Sequence, residues 1–138
     1  MRVVIDTNIF ISGLFWGGVP LQVLRAIIRA DALLLLSHPQ IIELRDVITR
    51  PYFANRKLAS GVVLPELLDD IENGAEWVTP VEIPSGVVRD PKDMFLLACA
   101  VGGSANYIIS GDHHLLEIGQ YRGVVMIEPA AFLARLYT

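Results

Sequence analysis

Four acids in this chain occupy positions from which carboxylates could work together. Asp6 ends the apolar run Val3–Ile5, and Asp112 follows Tyr107–Ile109 by a Ser-Gly step. Asp93 falls in the first turn of one helical segment, and Glu43 lies inside another. Carboxylates gathered on one edge repel one another unless cations compensate them. Ligation by oxygen alone suits the hard cations magnesium and manganese, held by a few carboxylates with several waters retained. The chemistry that uses such sites is in-line displacement at phosphorus. One ion lowers the pKa of a bound water, and a second, roughly 3.5–4 Å away, stabilises the leaving oxygen. No side-chain nucleophile is then required, which suits a chain without a Ser-His-Asp or Cys-His arrangement. The expected catalytic and metal-binding set is therefore Asp6, Glu43, Asp93 and Asp112, with Mg2+ or Mn2+.

Each of these residues also has a purely structural reading. Asp90-Pro91-Lys92-Asp93 reads as an N-cap, a proline at the first helical position and an acid able to reach back to the cap. Asp112 ahead of His113-His114-Leu115 reads as an N-cap, and Asn8 as the cap of the helix that opens after the first strand. Glu43 has Arg45 and Asp46 beside it, as on a solvated helix face. His113 and His114 read as surface or packing histidines. Taken singly, these roles stay open; convergence of four acids favours the metal site.

The elements that must position them alternate. Candidate strands are Val3–Ile5, Leu33–Leu36, Trp77–Val78, Tyr107–Ile109 and Val124–Ile127. Between and after them, helical spacing runs over Leu21–Ala30, Gln40–Thr49, Pro65–Asn73, Lys92–Val101, Leu115–Ile118 and Ala130–Leu136. Strands that are apolar throughout suit a parallel sheet buried on both faces, and the alternation predicts a three-layer α/β domain with right-handed crossovers. In such sheets ligands bind beyond the carboxyl ends of the strands where strand order reverses. If the first and fourth strands flank that point, Asp6 and Asp112 become neighbours.

Gly17-Gly18 with Pro20 marks a turn, and Gly102-Gly103 ends the helix before Tyr107. The acidic stretch Glu66–Glu76 reads as a solvated helix face. With no linker or repeat, residues 1–138 are expected to form one domain.

At 53% hydrophobic and 19% charged, the composition is that of a folded globular protein. A net charge of −4 argues, taken alone, against a protein that grips nucleic acid by its phosphates. Yet four of the acids are the proposed ligands, and two divalent cations would bring that charge to zero. The single Cys99 forms no internal disulfide and sits in an apolar run. Asp6 interrupts any signal-peptide core, and the uncharged stretch Thr7–Leu24 is too broken by polar residues, glycines and a proline to span a membrane. A cytoplasmic protein without membrane contact is the expectation.

The sequence further resembles the PIN-domain family, in particular the prokaryotic VapC-like toxins of type II toxin–antitoxin pairs. Val3-Val4-Ile5-Asp6-Thr7-Asn8-Ile9-Phe10-Ile11-Ser12 is similar to the family's opening strand, first acid and helix start. Ile41-Ile42-Glu43-Leu44 resembles its second acid, Arg89–Ala98 its third with Asp93 in the catalytic slot, and Ile108-Ile109-Ser110-Gly111-Asp112 its fourth. The motifs come in the family's order along nearly the whole chain. The resemblance implies a PIN-like α/β/α domain, a five-stranded parallel sheet of order 3-2-1-4-5, magnesium or manganese dependence and cleavage of RNA. It also implies that Asn8 and Ser110 organise water or metal around the acids, and that the protein pairs as a homodimer silenced by an antitoxin segment presenting Arg to the carboxylates. Met94 and His114 depart from the family pattern, at positions where polar or charged residues and a further acid are frequent.

Two rivals compete with the ribonuclease. An aspartate-based phosphatase would want a second Asp two residues after Asp6, where this chain has Asn8. A non-catalytic RNA-binding scaffold of PIN-like fold would have no need to keep four acids. On the nuclease reading, RNA is expected to approach along Arg45, Arg50, Arg56 and Lys57, beside Glu43. The apolar excess suggests a homodimer contact through Leu14-Phe15-Trp16 and through Phe132, Leu133, Leu136 and Tyr137.

Overall fold

The computed structural model describes residues 1–138. Short apolar runs with no room for helical amphipathicity become the strands β1 (Arg2–Ile5), β2 (Leu33–Leu36), β4 (Tyr107–Ile109) and β6 (Val124–Ile127), joined by two-residue strands β3 (Glu76–Trp77) and β5 (Gln120–Tyr121). The helices are α1 (Thr7–Trp16), α2 (Gly18–Ile28), α3 (His38–Ile48), α4 (Pro51–Ala54), α5 (Leu64–Gly74), α6 (Pro91–Gly102), α7 (His113–Ile118) and α8 (Pro129–Leu136).

Successive side chains on a strand point to opposite faces, so a sheet apolar on both sides must be covered twice. Val3 and Ile5 of β1 enter a core shared with α1, α2, α3, α5 and α8, whereas Val4 enters a second core with α6 and α7. Cys99 is buried in that second core and unpaired, as the sequence suggests.

The strand order is β3-β2-β1-β4-β6-β5. The first five of these run parallel, and their order is the one expected, because the expected fifth strand is β6. The sheet has six strands, not five: β5 pairs antiparallel with β6 through Tyr121↔Val124. The addition comes from turn chemistry. Arg122 (φ 48°) and Gly123 (φ 84°) form a two-residue connection with both central residues left-handed, the geometry that folds a chain back as a hairpin.

The four-residue α4, starting at Pro51, exceeds the sequence expectation. The helix expected after the first strand is α1, but its N-cap is Asp6, not Asn8: the Asp6 side chain accepts from the Asn8 N–H. A sharp corner follows, with α1 and α2 inclined at 106° across Gly17. No single helix is long and apolar enough to cross a membrane. The interface residues expected from apolar excess are largely spent on the core, since Leu14, Phe15 and Phe132 are buried and only Trp16 and Tyr137 are exposed.

Candidate active site

The reversal of strand order falls between β1 and β4, and the backbone ties their ends directly: the Asp6 N–H donates to the Ile109 carbonyl at 2.9 Å. Just beyond, the Asp112 N–H donates to Ser110 Oγ (3.0 Å), and Ser110 Oγ–H donates to Asp6 Oδ2 (2.7 Å). Ser110 is fully buried, so one hydroxyl couples the two acids that the ends of β1 and β4 bring together. Each acid is also a helix cap. Asp6 Oδ1 accepts from the Asn8 N–H (3.1 Å), and Asp112 Oδ1 from the His114 N–H (2.9 Å). The capping and functional readings of these residues are therefore compatible.

Asp93 is delivered by α6. Asp90 caps that helix by accepting from the Lys92 N–H at 2.9 Å, Pro91 supplies a pre-set φ, and Asp93 is left in the first turn with its side chain turned inward, 7% exposed. Glu43 arrives on α3, half-buried. Thr7 Oγ1 donates to Glu43 Oε2 at 3.4 Å, and Lys92 Nζ pairs with Glu43 Oε1 at 3.3 Å. One turn earlier, buried Gln40 donates through Nε2 to the Ile5 carbonyl, fastening α3 to the end of β1, while its Oε1 has no partner.

The electrostatics link all four acids. Burial raises the Asp6 carboxyl above its ordinary range and the charges of Asp112 and Glu43 push the same way, while the Ser110 and Asn8 hydrogen bonds oppose them. Asp93 is pushed up to about 6, first by burial and then by Asp112, Asp90 and Asp6. Two buried carboxyls raised by their own burial and by neighbouring carboxylates form an anionic pocket that a cation would relieve. No three of the acids lie at the spacing of a complete direct ligand set. An ion that keeps several waters and takes one or two carboxylates directly does not need one. The donor set, all oxygen, fits magnesium or manganese.

Beside the acids opens a cavity of about 770 Å³, bordered by Arg89, Asp90, Asp93, Asp112, His114 and Glu117. It is roomy enough for a phosphodiester and its flanking groups.

The structure thus gathers the four expected acids and Ser110 around the β1–β4 crevice. Asn8 is exposed, and the group it turns toward Asp6 is its backbone N–H. Thr7, Gln40 and Lys92 enter the site without having been singled out. The signal for Thr7 and Lys92 is adjacency to Asp6 and Asp93. For Gln40 it is a polar residue one helical turn before Glu43 on an otherwise apolar face. Of the expected RNA path, Arg45 is held by Glu72 at 2.7 Å and Arg50 by Asp46 at 2.9 Å, whereas Arg56 lies against aromatic rings.

The PIN domain family matches residues 2–114. Among solved structures, the chain is similar to VapBC2 from Rickettsia felis, determined bound to a DNA fragment from their promoter. The two share 11% identity and a TM-score of 0.58, over 93% of this chain and 98% of that one. Identity that low shows a shared fold. No curated protein sequence matches.

Proposed function

Because the chain belongs to the PIN domain family, we propose that it is a divalent-metal-dependent endoribonuclease, the toxin of a toxin–antitoxin pair. The observation that carries this reading is the placement of buried Asp6 and Asp93 beside Asp112 and Glu43 at the strand-order reversal, where burial and neighbouring carboxylates raise both buried carboxyls. Magnesium or manganese bound among these acids would supply the activated water and the charge compensation that phosphodiester hydrolysis needs. The chain's own residues do the rest. Ser110 holds Asp6 and Asp112 in register, Asp90 turns α6 so that Asp93 faces inward, and Thr7 and Gln40 keep α3 and Glu43 against the end of β1. The adjoining cavity would receive the RNA backbone.

The solved VapBC2 of similar fold motivates an antitoxin partner for this chain. A guanidinium offered to the acid cluster would replace the cation, much as Lys92 Nζ already pairs with Glu43 Oε1 at 3.3 Å. A homodimer remains part of the reading, with partly exposed Leu133 and Leu136 and exposed Tyr137 at the carboxyl end as its candidate contacts.

The decisive experiment is cleavage of single-stranded RNA with EDTA, with magnesium or manganese restored, and in the variants Asp6→Asn, Glu43→Gln, Asp93→Asn and Asp112→Asn. Cleavage should need the metal and fall by at least about 100-fold in each variant, beyond the usual cost of losing an outer-sphere group. Cleavage undiminished in EDTA sinks the metal mechanism. RNA affinity with no cleavage under any metal would favour the scaffold, and acid-stable phosphate on Asp6 the phosphatase.

A further inference from the structure

At the far end of α1 from Asp6, an aromatic cluster stands outside the carboxylate crevice. Buried Phe15 packs on Phe53 with ring centres 5.0 Å apart. Phe53 in turn meets Trp16 (6.4 Å) and Tyr52 (4.8 Å) edge to face. Trp16 and Tyr52 are 56% and 62% exposed. The Arg56 guanidinium lies 4.9 Å from the Trp16 ring centre and 4.6 Å from that of Tyr52, and it donates to Tyr52 Oη at 2.7 Å. Two rings standing in water are thus held in place by a phenylalanine base and a bridging cation.

The charge around them is one-sided. Residues 7–30 carry Arg25 and Arg29 with no acid, and residues 47–65 carry Arg50, Arg56 and Lys57 with no acid. The two segments meet at this corner: the Ala59 N–H donates to the Leu14 carbonyl (2.8 Å), and a Cβ on Gly61 would lie 3.3 Å from Arg25 Nη2. Arg29 pairs with Asp31 and Arg50 with Asp46, which leaves Arg25, Arg56 and Lys57 without an acidic partner. A chain of net charge −4 therefore turns a basic, aromatic corner outward.

We infer that this corner is a stacking platform for the unpaired bases of single-stranded RNA, deepening the nuclease reading on which the choice of RNA rests. Exposed rings interleaved with cations are what sequence-tolerant binding of single strands requires, because every base has a π-face and every nucleotide a phosphate. Protein interfaces also favour Trp, Tyr and Arg; the uncompensated positive charge favours a polyanion. The 10 residues of α1, from the cap at Asp6 to Trp16, span roughly 15 Å. That is the rise of about four to five stacked nucleotides.

The test uses a short fluorescein-labelled single-stranded RNA in EDTA, so that binding is read without cleavage. Trp16→Ala and Tyr52→Ala should each weaken affinity by about 5- to 150-fold, the loss of one stacked base, with melting temperature held and Tyr52→Phe near the parent. Trp77→Phe leaves Trp16 as the sole tryptophan of the 2 present, and its emission should be quenched by single-stranded RNA and not by a duplex of the same sequence. Unchanged affinity in both alanine variants overturns the platform. So does a shift of Trp16→Ala to a smaller sedimenting species with RNA binding intact, which would assign the corner to a protein interface. The platform and the nuclease fail separately. Metal-dependent cleavage with alanine-insensitive binding rejects only the platform, and ring-dependent binding without cleavage rejects only the nuclease.

Discussion

Asp93→Asn tests the electrostatic reasoning without RNA. A carboxyl whose pKa is raised by folding favours the folded state while protonated, and that contribution is lost as pH climbs through the folded value, here about 6. The rise from 3.8 to about 6 corresponds to roughly 3 kcal/mol at full weight. Asp93 borders an open cavity, so solvent screening reduces the expected effect to about 1–2 kcal/mol. Asparagine keeps the shape and removes the charge. In EDTA at pH 8 the variant should therefore melt about 3–6 °C above the parent, and the difference should fall to about half by pH 5 on its way to zero below the unfolded value of 3.8. Thermal melts from pH 5 to 8 measure this, and magnesium should raise the melting temperature of the parent far more than that of the variant. A variant less stable than the parent at pH 8, or a parent equally stable across that range, would refute the claim that Asp93 is held ionised against its surroundings.

Ser110→Ala removes the donor to Asp6 Oδ2 and the acceptor of the Asp112 N–H, so it should cost about 1.5–3 kcal/mol in urea melts. It should also lower cleavage by about 10–100-fold through misplaced acids. Gly103→Ala would put a Cβ 2.7 Å from Leu35 Cδ1 and 2.8 Å from Val78 Cγ2, where α6 runs into the sheet. Overpacking there should destabilise by about 1–3 kcal/mol with RNA cleavage per folded molecule unchanged.

Much of this arrangement is legible in the sequence because burial on two faces leaves an unmistakable pattern. Leu33–Leu36 and Tyr107–Ile109 have no polar residue to spare, and the structure starts and ends those strands where the apolar runs do. β5 was not legible, since Gln120 and Tyr121 are too few to show a period and the turn that creates the strand lies outside it. The acids stood out by type and position. Their coupling through Ser110 did not, because it joins residues 104 apart in sequence. The fate of the bases was equally hidden: Arg45 and Arg56 look alike along the chain, and only packing gives one to Glu72 and the other to Trp16 and Tyr52. The stretch Leu14-Phe15-Trp16 divides in the same way, two residues going to the core and one to water.

The sheet ends at both sides in strands of only two residues, β3 and β5. At one side Glu76 is engaged by the Arg2 guanidinium, and at the other the hairpin turn cuts pairing short. Neither margin offers a run of free amides and carbonyls long enough to template a further strand. Self-association by extending the sheet, the route to ordered aggregates, is thereby discouraged. Copies or partners must meet this protein through its helices and loops, where side chains rather than backbone decide who fits.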